Sequence, residues 1–155
     1  MSEFRIDKAR SDDIPALVFL LGELFSIERD FAPEPTRQAR GLLLLLQATD
    51  RATVQVARDD AGRPVGMATA QLVISSAEGA PSAWIEDVIV ASYARGRGVG
   101  RALLEAVLGW AREHGATRAQ LLVDLDNPPA LEFYQHLNWE ITRLGMRRIY
   151  LRSNT

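Results

Sequence analysis

Apolar and polar residues alternate at the start of the chain, with Phe4 and Ile6 apolar, and predict a first strand over Phe4 to Arg10. Ser11-Asp12-Asp13 then offers an N-cap. Ile14, Leu17, Leu20, Leu21, Leu24 and Phe25 recur at helical spacing behind it. Ala32-Pro33-Glu34-Pro35 breaks that helix, and a second is predicted from about Thr36 to Ala48. Its leucine run, Leu42 to Leu46, is far short of the roughly 20 residues that span a bilayer and reads as a buried helix turn. Thr53 to Arg58 and Pro64 to Ser75 read as strands joined by a hairpin turn at Asp59 to Arg63. Ser76 to Pro81 is a second turn, and Ile85 to Val90, β-branched apart from two carboxylates, is a buried central strand. From Val99 the period changes: Val99, Leu103, Ala106, Val107 and Trp110 share one helix face, which ends near His114-Gly115. Arg118 to Asp124 is a further strand, and Pro128 or Pro129 opens a short helix to Leu137. Two closing strands are expected near Glu140 to Leu144 and Met146 to Arg152. The order β-α-α-β-β-β-α-β-α-β-β predicts a mixed α/β (α+β) chain with an antiparallel first half. It shows no repeat or linker, so residues 1–155 are read as one domain.

Composition narrows the function. A hydrophobic content of 47% beside 25% charged residues is that of an ordinary globule. A net charge of −2 argues against nucleic acid or anionic membrane as the main partner. With no cysteine there is no disulfide framework, thiol nucleophile or cysteine zinc site, and His114 and His136 are too few for a histidine-rich one, so no metal is expected. The N-terminal residues lack a basic region followed by an apolar run, and a cytoplasmic protein is expected.

The junction between central strand and helix carries the chemistry. Arg95-Gly96-Arg97-Gly98-Val99-Gly100 places glycines at alternate positions beside a helix start, each costing up to about 1 kcal/mol relative to alanine. Bare N–H groups at a helix N-terminus can close around an anion, helped by the helix dipole and by arginines. Two known phosphate loops do not fit. The dinucleotide fingerprint needs a third glycine where this chain has Arg101, and the P-loop needs a lysine that is absent here.

Strand, Arg-x-x-Gly-x-Gly turn (Arg95, Gly98, Gly100) and helix together resemble the acyl-CoA-binding core of GNAT-type N-acetyltransferases. The resemblance implies a mostly antiparallel central sheet flanked by helices, with acetyl-CoA as co-substrate. Its pyrophosphate would lie on the backbone amides of Gly96, Arg97, Gly98, Val99, Gly100 and Arg101, with Arg95, Arg97 and Arg101 around it. Glu86, ahead of that turn, is similar in spacing to the strand glutamate of spermidine/spermine-type acetyltransferases. Asp87 is expected on the opposite face by strand alternation. A second stretch, Asn127 to Tyr134 followed by Leu137-Asn138-Trp139, also resembles the family. By pattern alone Tyr134 is a packing residue. The family comparison implies instead that Tyr134 protonates the departing thiolate and that Asn127 belongs to the cofactor site. Asn138 stands where the family has glycine, and asparagine tolerates a left-handed backbone.

The implied reaction faces one main barrier. An alkyl ammonium has a pKa near 10.4, so exposing a neutral amine at pH 7 costs about 4.6 kcal/mol. A carboxylate base in a desolvated site relieves this, and Glu86 is the candidate. Backbone N–H groups of the central strand near Val88, Ile89 and Val90 would meet the thioester carbonyl as negative charge develops. The expected acceptor is a small-molecule primary amine. Glu23, Glu28, Asp30, Glu34 and Glu78, on the first helices and the Ser75–Ser82 turn, hint at a cationic one, although solubilising acids explain them as well. A protein or peptide acetyltransferase and a non-catalytic CoA-binding sensor stay open beside it, as does the oligomeric state, for which the exposed final strands could join two copies in a homodimer.

Overall fold

The computed structural model describes residues 4–27 and 34–152. Two compact units make up the chain, Met1–Leu122 and Val123–Thr155. In the first, β1 (Phe4–Lys8), β2 (Ala52–Asp59), β3 (Pro64–Ser75), β4 (Ala80–Val90) and β5 (Arg118–Leu121) form one sheet in sequence order. The first four pair antiparallel and β5 runs parallel to β4. Between β1 and β2 come α1 (Ile14–Ile27) and α2 (Pro35–Gln47), and between β4 and β5 comes α3 (Val99–Glu113). A mixed, mostly antiparallel sheet flanked by helices is the class the sequence predicts.

Each sheet face has its own cover. Val54, Val56, Met67 and Ile89 carry the core under α1 and α2, into which Leu17, Leu20, Leu21, Leu24 and Leu42 pack. Only Leu42 of the leucine run is fully buried, and Leu44 is 61% exposed. Consecutive residues point around a helix in all directions, so a single core face cannot take the whole run. On the other face α3 buries Leu103, Leu104, Val107 and Trp110. Gly66 permits its close approach: a β-carbon there would lie 3.1 Å from Leu103 and from the Ile89 carbonyl, and 3.2 Å from Val99. Gly115, at φ +86°, ends α3 in a Schellman arrangement: its N–H bonds the Arg112 carbonyl and that of Ala116 the Ala111 carbonyl.

Asp13 departs from the expected N-cap role. Its carboxylate bonds back to the Arg10 N–H at 2.7 Å and grips Arg58 across 45 residues of sequence. The Arg58 guanidinium, 1% exposed, meets both Asp13 oxygens at 2.7 Å and Asp7 at 2.8 Å. The hydrogen bonds from Arg58 hold the Asp13 carboxyl below the usual carboxylate range, and the same bonds push Arg58 up.

The second unit holds α4 (Pro128–His136), opened by Pro128 as predicted. Asn127 caps it, its Oδ1 accepting from the Ala130 N–H at 3.3 Å. Asn138 adopts φ +66°, and the Trp139 N–H reaches the Tyr134 carbonyl at 3.0 Å, so asparagine does close this helix where glycine was the family norm. The two closing strands expected at Glu140–Leu144 and Met146–Arg152 are not formed among the described residues. Alternation supplies an apolar face but no hydrogen-bonding neighbour, and a strand needs both. Ile141 and Leu151 accordingly stay almost wholly exposed. The pairing edge expected to join two copies goes with those strands.

Candidate functional site

β4 builds the site by breaking two rules of a regular strand. Its parallel partner β5 ends at the pair Ile85↔Leu121, so among the described residues no strand is paired to that edge from Glu86 to Val90. Its pairing with β3 also slips. Met67 faces Ile89 and Thr69 faces Glu86, which leaves Asp87 and Val88 together opposite Ala68. Asp87 takes up the slack at φ +56°, the left-handed region that asparagine and aspartate enter more readily than most residues.

The bulge corrects the expectation for Asp87. Alternation would send it away from Glu86, yet both carboxylates line one cleft of about 520 Å³ between the sheet, α1 and α2. Trp84, two residues back on the same strand face, donates its indole N–H to Glu86 Oε1 at 2.8 Å. Thr69, buried at the matching register of β3, donates to the Glu86 carbonyl at 3.0 Å and lies 3.3 Å from Asp87 Oδ2. One oxygen of Glu86 is thus oriented by a neutral donor, and its side chain remains exposed to the cleft. Leu21, Phe25 and Leu45 give the cleft apolar walls, with Gln38 and Arg51 among its polar residues.

The acids expected around the acceptor lie elsewhere. Glu78 accepts a hydrogen bond from Thr117 at 2.8 Å, Glu34 sits at the N-terminal end of α2, and Glu23 faces a separate groove between α1 and α2. Glu28 and Asp30 lie outside the described residues. Glu86 and Asp87 are the carboxylates of the cleft itself.

Immediately after β4 the chain turns into α3 through Gly96 at φ +78° and Gly98 at φ +81°. A β-carbon would strain both, so the glycines answer to the backbone course rather than to packing. Among the described residues no side chain caps α3, and its first turn carries no acid. The backbone N–H groups from Gly96 to Arg101 find no acceptor among the described residues. A run of unanswered amides on a left-handed turn, backed by a helix dipole, is the donor set that a phosphate oxygen requires. The arginines divide their labour. Arg95 donates to the Val90 carbonyl at 3.0 Å and ties the turn to the strand end, while Arg101 pairs with Glu105 at 3.2 Å. Arg97 makes no side-chain contact of this kind among the described residues.

The family model for the acetyltransferase (GNAT) family matches residues 21–139. The chain belongs to the GNAT family. This GNAT chain is 35% identical over 80 residues to an uncharacterized N-acetyltransferase of Methanocaldococcus jannaschii, covering 51% of this chain and 35% of that one. It is 33% identical over 86 residues to mycothiol acetyltransferase of Corynebacterium jeikeium, covering 54% and 25%. The matched stretch therefore spans about a third and a quarter of those relatives. A possible acetyltransferase from Clostridium difficile 630 shares the fold at a TM-score of 0.83 with 18% identity, over 98% of this chain and 100% of its own.

The structure thus brings Glu86, Val88, Ile89, Val90 and the Arg95–Arg101 turn onto one continuous stretch of the first unit. Asn127 and Tyr134 belong to the second, where the Tyr134 ring stands edge-on to Phe133 at 5.1 Å and to Trp139 at 5.8 Å. Sequence reasoning put Asp87 on the opposite face and missed Gln38 and Arg51. It also missed the Trp84–Glu86 bond, although spacing of two on a strand was available as a signal.

Proposed function

We propose that this GNAT chain is a cytoplasmic enzyme that transfers the acetyl group of acetyl-CoA to the primary amine of a small molecule by direct attack. The unanswered amides from Gly96 to Arg101, one turn beyond a carboxylate-bearing cleft, carry the reading. Those amides, with Arg97 beside them, would hold the pyrophosphate; bound there, acetyl-CoA supplies an activated acyl group. Glu86, one oxygen steadied by Trp84, takes the ammonium proton directly or through water. The edge of β4 from Val88 to Val90, with no strand of the described residues on its far side, offers N–H groups to the developing oxyanion. Tyr134 is assigned the proton for the departing thiolate, and Asn127, whose amide nitrogen is not used in capping, a contact to the same co-substrate. The mycothiol acetyltransferase likeness supports a small acceptor.

Thiol release from acetyl-CoA, measured against polyamines, amino acids, aminoglycosides and short peptides, tests this. Turnover that depends on one class of free amine and falls with Glu86→Gln is expected. Turnover confined to peptides would replace the small-molecule reading. Tight acetyl-CoA binding without turnover on any amine would replace it with a CoA sensor.

A further inference from the structure

Gln38 presents an imbalance that the acetyl-transfer scheme leaves unexplained. It lies on α2 and lines both the cleft that Glu86 and Asp87 share and the groove between α1 and α2. Both of its side-chain atoms, Nε2 and Oε1, are buried with no hydrogen-bond partner among the described residues. Buried polar groups in native proteins are almost always answered, and an unanswered pair weakens the fold. The matching partner is a ligand that accepts one hydrogen bond and donates another. Arg51 lines the same cleft, and its guanidinium forms no ion pair with Glu86, Asp87 or any other described carboxylate.

Register places the two charged ends. Arg51 aligns with Leu72, since the Leu72 N–H bonds its carbonyl, and Leu72 pairs with Ala83. Glu86 aligns with Thr69 and Val54. Three residues along the strands and two strands across put the Arg51 and Glu86 α-carbons about 14 Å apart. Both residues line the same cleft, whose volume of about 520 Å³ leaves space for a small molecule between a cation and two carboxylates.

We propose that Gln38 and Arg51 select the acceptor, and that it is an amine carrying a carboxylate, an amino acid or a close analogue. Its ammonium faces Glu86, its carboxylate faces Arg51, and the Gln38 carboxamide donates to the carboxylate while accepting from an N–H. A polyamine would set only positive charge against Arg51 and leave the Gln38 N–H groups unmet. A peptide N-terminus carries a neutral amide where the carboxylate is required. This inference rests on the reading of the cleft as the acceptor site.

Titration calorimetry on the full chain tests it with matched sets: lysine, lysinamide and cadaverine; phenylalanine, phenylalaninamide and phenethylamine. In at least one set the acid should bind about tenfold or more tightly than both neutralised forms, as expected of hydrogen bonds to a charged group. Arg51→Met should erase that preference. Gln38→Met should weaken acid binding while raising the melting temperature of the ligand-free protein, because it removes the unanswered amide. A lower melting temperature would make Gln38 an ordinary structural residue and overturn its role. Equal affinity for amide or amine, a preference that survives Arg51→Met, or no binding of any acid would overturn the proposal. Acid preference without thiol release would sink the acetyl-transfer reading alone. Turnover on plain amines without acid preference would sink this inference alone.

Discussion

Replacing Asp13 by asparagine should cost far more than a single surface charge. Arg58 is 1% exposed and donates two hydrogen bonds of 2.7 Å to Asp13, with a third of 2.8 Å to Asp7 at a 37% exposed position. Removing one partner of a buried ion pair typically costs 3–5 kcal/mol, because the remaining charge stays desolvated. Asp7 still answers Arg58, so Asp13→Asn should fall near the lower end, about 3 kcal/mol. At roughly 2–4 °C per kcal/mol for a chain of this size, the melting temperature should drop by about 6–12 °C. Asp7→Asn, at the more solvated position, should cost about 1 kcal/mol. Arg58→Met combined with Asp13→Leu should recover most of the loss, since apolar replacement of a whole buried pair is often neutral. The pH dependence provides an independent arm. The folded carboxyl of Asp13 titrates below its ordinary value of 3.8. Its contribution is therefore complete above that pH and lost as the pH falls through the folded value. The gap between wild type and Asp13→Asn should stay constant from pH 7 to 5 and close below about pH 4. Thermal melts across that range decide it. Equal, small losses for Asp13→Asn and Asp7→Asn, or a gap unchanged at low pH, would refute the assignment of Arg58 as a buried anchor.

Three further expectations concern the site. Gly98→Ala forces a β-carbon into φ +81° and should cost about 1–2 kcal/mol while raising KM for acetyl-CoA more than it lowers kcat; an unchanged KM would remove the turn from the binding site. Gly66→Ala meets the Ile89 carbonyl at 3.1 Å, which cannot swing aside, so thermal melts should show a loss of about 1–3 kcal/mol. Glu86→Gln should lower kcat by about 10²–10⁴-fold, and Tyr134→Phe by less because a thiolate leaves with little help; the reverse order would exchange their importance.

The local chemistry was legible because single residues encode it. Gly96, Gly98, Gly115 and Asn138 each stand where the backbone turns left-handed, and Asn127 stands where α4 needs a cap. Features that depend on what lies across the sheet were not legible. Arg58 reads as the outer end of a strand until Asp7 and Asp13 close over it. The bulge at Asp87 is invisible to alternation, because it shows only against β3, where Asp87 and Val88 stand opposite one residue. Gln38 could not be singled out, since the missing partners of an amide appear only once its surroundings are fixed. The failure at Glu140–Arg152 has the same root: the pattern was strand-like, but no neighbour completes it.

The double step at Asp87 and Val88 makes β4 tolerant of a change in length that ordinary strands would not absorb. Glu86 and Ile89 keep Thr69 and Met67 as partners although they stand three residues apart on β4 against two on β3. Deleting either Asp87 or Val88 would leave them two apart, so plain alternation would still hold both on the face under the helices and the Arg95–Arg101 turn would keep its phase. What would go is the left-handed step at Asp87 that brings a second carboxylate into the cleft. A deletion here edits the cleft and leaves the strand's frame in place, whereas one elsewhere in β4 would turn over every side chain beyond it.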